Sequence, residues 1–580
     1  MTSNSKNELV ISCVKELYEK RDKILKLPCE KVLEEIINAH DSAPLVHSIP
    51  EQDFYILINE IGPEDCLLIL SLASNKQWEY ILDNDVWEKD RIDIGCTTRW
   101  LDLLLKSDPQ RMIKWAVTHK AKLIKFYLNF NVEVLIREHD QDPSDFGGDL
   151  FTLDDTFYIR FLNRPLEIEP ADKNMPDINE ETCRDFLIQF IQRLAEYDYI
   201  KYQQIIMESA YVLPAYVEEE EYRLRNVRLG EKGFLPFDEA ISIYKPMMPT
   251  DMENNIFQPV KKTDELNLKN QVPLYPSNMI GRNNLFTKAL EGISLDGQSD
   301  RIKQEFVVLA NQIIIADQIK VKTKDDLSKI VKKVCGYLTV GLESLIKQDV
   351  GSFTNQSTTL LKNHPLIHIF RVGYGAAMTL KWEAKEWIDK CWFLEQGLSL
   401  SFWGEEGMGV LGGLLIKKPL FYNDYMEGNI YREFFEKKDI TYTKGVLKSI
   451  IAIDDLLSIT SIDLKSYSKK NFFTYKSILL TLWARDYLGL SAEPIPLELK
   501  QFKTFFKNIW TRVDGKREIR VSTKASFLKW LSKLTNLPSE EIISRCGEIL
   551  ENLFVEIKEE YCEVSNNDID PRYIHLFSLK

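Results

Sequence analysis

The sequence predicts a mainly α fold, a multi-helix array or irregular α-solenoid with a small antiparallel β insertion near 131–162. Three observations carry this reading. Apolar residues recur at helical spacing through most of the 580 residues. Glycine (25) and proline (22) are both scarce for this length, which argues against a turn-rich all-β fold. Apolar strand-like runs, VEVLIR (132–137) and FYIRF (157–161), cluster in one place.

Taken in order, residues 6–130 read as consecutive short helices. Three junctions open them: Pro50 before Glu51, Pro63 before Glu64 and Asp65, and Pro109 after Asp108. Proline suits the first helical turn because the N–H it lacks would be unpaired there anyway. Asp108 is a natural N-cap. After Pro63, the residues Leu67, Leu68, Leu70 and Leu72 are expected mostly on one helical face. Helices this short cannot bury their faces alone and must stack. The β insertion follows, with Leu150–Thr152 joined by a turn to the 157–161 strand. Helices resume near Glu180 and run to about Tyr244, with a break at Pro214. Five prolines between 246 and 283 mark a linker or long crossover. The chain thus divides into an N-terminal helical domain (1–245), the linker (246–283) and a C-terminal helical domain (284–580). In the last of these, Asp325–Ile346 and Leu366–Leu394 read as long amphipathic segments. Asp514-Gly515 offers a hairpin turn, and Pro538 precedes the last long helix.

Net charge is −14 and the pI is about 5.3. A nucleic-acid footprint over the whole chain would be basic, so that role is disfavoured globally. The nine cysteines are scattered without a C-x-x-C pair, which points to free thiols in a reducing compartment. The N-terminus carries no signal-peptide pattern. The apolar-plus-glycine run 409–416 is far below the ~20 residues a membrane span needs. These features predict a cytoplasmic protein.

Chemistry-bearing patterns are few. From Glu138 to Asp155 there are seven carboxylates and no Lys or Arg. Asp140-x-Asp142-x-Ser144 opens like an EF-hand loop. The pattern then breaks, because Asp145 stands where glycine is needed and Phe151 where the bidentate glutamate belongs. Another geometry could use Glu138, Asp140, Asp142 and Asp145 for a divalent cation. The competing reading is a solvated loop whose Asp side chains cap turns. His364 and His368 have zincin spacing but no adjacent glutamate. Gly407-Met408-Gly409-Val410-Leu411-Gly412 satisfies G-x-G-x-x-G, yet the preceding SLSFWGEE is a poor strand. Close helix packing is the better explanation of these glycines. No other cofactor signature is present. Residues 500–533 reverse the charge of the whole: ten Lys and Arg against Asp514 and Glu518, a local net of +8. Arg512, Lys516, Arg517, Arg520 and Lys524 could meet a polyanion, with the interleaved aromatics stacking on bases. Against this, Phe502, Phe505, Phe506 and Trp510 have the spacing of a helix core face. The acidic loop and this basic stretch could also meet each other in the fold. Glu218–Glu221 are expected at a helix N-terminus, where acids complement the dipole.

Six phrases carry a family resemblance: EIGPEDCLLILSLASNKQWEYILD (60–83), RLGEKGFLPFDEAISIY (228–244), HPLIHIFRVGYGAAMTLKW (364–382), GVLGGLLIKKPLFY (409–422), LLTLWARDYLGL (479–490) and DIDPRYIHLF (568–577). In this order they resemble an uncharacterised bacterial family catalogued only as a domain of unknown function (6178 series). The resemblance implies one integrated architecture and brings no activity with it. The Pro-Glu-Asp helix starts also resemble the cytosolic N-terminal helical domain of magnesium transporters of the MgtE type. No transmembrane half follows in these residues, so transport is not implied. With no recognisable catalytic motif, the reading leans away from an enzyme. The best-fitting expectation is a cytosolic protein-interaction or scaffold protein with helical binding surfaces and a protein partner. The alternatives are a metal-dependent enzyme using the acidic loop 138–155, and a nucleic-acid-associated regulator using the basic patch 500–533.

Overall fold

A computed structural model of the chain describes residues 3–162, 180–253, 275–276, 284–293, 298–346, 352–460, 462–464, 473–513 and 516–580. Helices dominate, and the strands form only small antiparallel sheets of two or three. The β insertion lies where expected. Val132–Ile136 and Phe151–Thr152 flank Phe157–Phe161 on either side, with Val134 opposite Ile159. Of the stretch 246–283, residues 254–274 and 277–283 lie outside the described residues. Pro249–Glu253 is helical, and Met252 and Tyr275 are buried.

Local signals set the N-terminal helices. Asp108 caps Pro109–His119 by accepting the Arg111 N–H at 3.1 Å. Ser74 and Gln77 form a reciprocal capping box on Asn75–Asp85. The Gln77 amide also donates to the Val46 and Ile49 carbonyls, so one side chain ends a helix and ties it to its neighbour. Buried Asp85 accepts from Tyr55 Oη (2.6 Å) and Trp100 Nε1 (2.8 Å), which satisfies a carboxylate deep in the helical stack.

Two local expectations are corrected. Pro63–Cys66 forms a 3-10 turn before the Leu67–Leu72 helix. Its tighter winding, about 120° per residue, turns the following face. Cys66, Ile69, Leu70 and Ala73 are therefore buried, and Leu68 is 62% exposed. Glu218–Glu221 do not open a helix, because the Pro214–Gly230 helix has already started. They serve lateral contacts: Glu218 accepts the Ile92 N–H and Glu220 pairs with Lys122. Further along, Arg228 grips Asp83 with two hydrogen bonds of 2.8 and 2.7 Å. A helix this charged packs by ion pairs, so its acids are drawn to partner positions along its length. Gly233 does follow that helix in the left-handed conformation (φ 83°), where L side chains are strained.

In the C-terminal half, the helices Lys324–Leu345 and Leu366–Ile388 touch backbone to backbone. A Cβ on Gly373 would stand 2.0 Å from the Tyr337 carbonyl oxygen, and one on Gly341 2.1 Å from that of Ile369. Two flanking glycines admit further chain. Gly336 faces the Phe434 carbonyl and Gly375 that of Met247, each leaving no room for a methyl group. Residues from distant segments are thereby brought onto one buried cluster. Lys333, almost fully enclosed, lies 3.0 Å from Asp317 and 2.7 Å from Glu433. Lys418 also pairs with Asp317. Tyr244 Oη donates to Asp317 at 2.7 Å, and Tyr337 Oη to Glu433 at 3.0 Å. Two cations face two anions, so the cluster is neutral. Burial disfavours the Asp317 carboxylate, but the Lys333 charge and the hydrogen bonds from Lys418 and Tyr244 outweigh it and hold its pKa below the usual range. Burial likewise opposes the Lys333 charge, and Glu433 and Asp317 overcome it and raise its pKa.

Alanine at Gly373 must separate the two helices and is expected to cost at least about 3 kcal/mol in urea unfolding. Gly445, in the middle of the Lys437–Ser458 helix, has open space where its Cβ would stand. Gly445→Ala is expected to stabilise by about 1 kcal/mol. Lys333→Ala removes the cation shared by two half-buried carboxylates, of which Asp317 keeps Lys418, and is expected to cost about 3 kcal/mol. The sign of the pH dependence follows from the two shifts. The Asp317 contribution is present above the ordinary carboxylate range and is lost as pH falls through its lowered pKa. The Lys333 contribution is present below the ordinary lysine range and is lost as pH rises through its raised pKa. The stability difference between parent and Lys333→Ala should therefore be flat across about pH 5–9.

Candidate functional site

The acidic loop is built as a set of turns. Asp142 accepts from the Ser144 N–H (2.9 Å) and Oγ (2.8 Å), capping the short helix Pro143–Phe146. Those bonds from Ser144 hold its pKa below the usual carboxylate range. Asp154 accepts from the N–H groups of Thr156 and Phe157. Asp155 pairs with Arg137 and Asp149 with Arg184. Glu138, Asp140 and Asp145 are exposed, like Asp142. The fold does not gather these four into a ligand set: among the described residues, no group of three or more His, Cys, Asp or Glu is placed to hold a metal ion.

The basic stretch is likewise woven into local structure. Phe502, Phe505 and Phe506 are buried on the Leu499–Ile509 helix, and Phe527 and Trp530 on Val521–Thr535. Trp510, expected on the first helix, instead opens the strand Trp510–Val513, which pairs with Lys516–Ile519. Its ring still reaches Phe506, at 5.5 Å between centroids. The predicted turn residues Asp514 and Gly515 lie outside the described residues. Arg512 and Arg517 face each other across the hairpin. Arg517 donates to the Val564 carbonyl and Arg520 to that of Trp510. Lys524 pairs with Glu551. Lys516 is placed by its backbone in the second strand. The six interleaved aromatics all lie in the core, so none is presented to a base. The expected contact between the two oppositely charged stretches is also not seen. Among the described residues, ion pairs of the loop run to Arg137 and Arg184, and those of the basic stretch to Glu551, Lys558 and Asp486. The ion pairs that each stretch does make are with other partners than the opposite stretch.

The G-x-G-x-x-G glycines sit inside the Gly404–Leu415 helix, as close packing requires. A Cβ on Gly409 would stand 2.3 Å from the Tyr422 ring, and one on Gly412 2.5 Å from Tyr431 Oη. No strand leads into this helix; the short 3-10 turn Leu400–Trp403 precedes it.

A different surface stands out. The helices Ala121–Asn131, Tyr199–Ser209 and Pro214–Gly230 enclose a groove of about 390 Å³. Its apolar wall includes Met207, Tyr211, Val212 and Tyr216. Its polar edge is two closed ion pairs, Lys122–Glu220 and Lys125–Glu208. Large apolar side chains crowd the same helices: Tyr211 is 78% exposed, Ile200 76% and Leu213 72%, with Tyr199, Met207 and Tyr216 also exposed. Asn129 donates to the Ser209 carbonyl at 2.8 Å and fixes the end of the middle helix. Pro214 then starts the next helix after a short turn, so Tyr211 and Leu213 are held outward. Tyr199 donates to Asp154 (3.2 Å), which joins the acidic loop to this face. Sequence reading missed the surface because helical spacing counts apolar residues without saying which have a neighbour. The available signal was YVLPAY (211–216), where apolar residues surround a break that no helix face can bury.

The structure defines a class, a mainly α protein with small antiparallel β insertions. Among its described residues, no helix is long and apolar enough to cross a membrane. The chain belongs to the Family of unknown function (DUF6178), whose model matches residues 12–580. No curated protein and no solved structure matches it.

Proposed function

We propose that this chain is a cytoplasmic protein-interaction or scaffold protein, and that the face around Tyr211 binds a protein partner. The observation that carries this reading is the concentration of exposed large apolar side chains at one helix junction, beside a groove with neutral polar edges. Single exposed apolar residues are ordinary, whereas contiguous ones mark interaction sites. Tyrosine suits such a face, because it offers a large apolar surface and a polar tip at little entropic cost. The two Lys–Glu pairs favour an apolar, uncharged contact over a strongly charged one. Seven described cysteines are free and unbridged, which fits a reducing compartment.

The test is site-specific photocrosslinking in the native host. A photoreactive residue at Tyr216, which lines the groove, is expected to give one discrete protein adduct, and the same residue at Val521, also exposed but on another helix, none. Tyr211→Ser with Leu213→Ser is expected to abolish the adduct. Both positions are solvent-facing, so stability should change by no more than about 0.5 kcal/mol each. No adduct at Tyr216, or one indifferent to the double substitution, would refute the proposal.

A further inference from the structure

A second hollow, of about 710 Å³, lies between the end of the Lys324–Leu345 helix and the start of Lys437–Ser458. It falls within the ~300–1,000 Å³ usual for small-molecule sites. Leu285, Ile346 and Phe353 supply apolar walls, and Tyr442 adds an aromatic one. Phe353 is 55% exposed although it has this hollow beside it. The charged lining is two lysines, Lys437 and Lys438, against one carboxylate, Glu343. Glu343 is already engaged: its carboxylate accepts the Lys437 N–H at 2.6 Å, and its carbonyl accepts from the Lys437 ammonium at 3.1 Å. Burial raises its pKa, and Glu436 adds to the effect against the opposing hydrogen bond from the Lys437 N–H. Lys438 makes no ion pair among the described residues and stands exposed in the first turn of a 22-residue helix.

We infer that this hollow binds a small amphipathic organic anion, its acid group on Lys438 and its apolar body between Ile346, Leu285 and Phe353. The lining would thus hold one net positive charge beside an apolar cavity, which selects against both inorganic anions and neutral hydrocarbons. The inference is independent of the protein-binding face, which lies on other helices.

The probe is 8-anilinonaphthalene-1-sulfonate, an aromatic anion of suitable size, titrated against the full chain by fluorescence. Saturable binding is expected, weakened about tenfold or more by Lys438→Glu. Phe353→Ala should weaken it through the apolar wall. Tyr211→Ser should leave it unchanged, which separates this site from the exposed tyrosine face. Thermal unfolding of each variant confirms folding, and both Lys438 and Phe353 are exposed enough for substitution to be tolerated. Absence of saturable binding, equal affinity in Lys438→Glu, or loss in Tyr211→Ser with none in Lys438→Glu would each overturn the inference.

Discussion

The contact between Gly341 and Ile369 and between Gly373 and Tyr337 sets the geometry of the C-terminal half. Where two helices meet through glycine, their axes approach until backbone meets backbone, and neighbouring side chains must leave the seam. Tyr337 and Tyr374 therefore stand beside it, ring centroids 5.5 Å apart. Gly336 and Gly375 repeat the device for the chain segments carrying Glu433 and Met247. The approach of Glu433 to Lys333 depends on Gly336, which lets the Phe434 backbone come this close. Larger residues at the seam would hold the charges apart with no water to replace their partners.

Much of the fold was legible because its signals are local. Proline junctions, the Asp108 cap and the two strand runs each depend on a few adjacent residues. The glycines of GMGVLG were read correctly as packing positions, since the residues before them cannot form a buried strand. The 3-10 turn at Pro63 escaped notice, as its extra winding leaves no trace in apolar spacing. Glu218–Glu221 misled because acids near a helix start fit the dipole equally well whether or not a lysine waits on the next helix. The Lys333 cluster joins positions 317, 333, 418 and 433, and no single stretch announces such a pairing. The candidate faces were legible least of all. Exposure is a property of what is absent from a side chain's surroundings, and YVLPAY reads like core.

The two most conspicuous stretches of sequence prove to be locally satisfied. Seven carboxylates and a +8 segment look like opposite poles of an electrostatic function. In the fold, the first is a chain of capped turns and short-range ion pairs, and the second is a hairpin and two helices whose guanidinium groups hold backbone carbonyls. Charge density in a sequence measures hydration and solubility as readily as recognition. The surfaces that look unfinished are apolar ones, at Tyr211 and at Phe353.

The neutral cluster also bears on how the chain is made. Tyr337 meets Glu433 across 96 residues, and Lys333 needs that same carboxylate. At synthesis rates of about 5–20 residues per second, the Lys324–Leu345 helix waits on the order of 5–20 s for its second anion. During that interval Lys333 stays hydrated, and the glycine seam has only part of its covering. Until Glu433 has emerged, this half of the chain cannot complete the cluster, whatever else of it has folded.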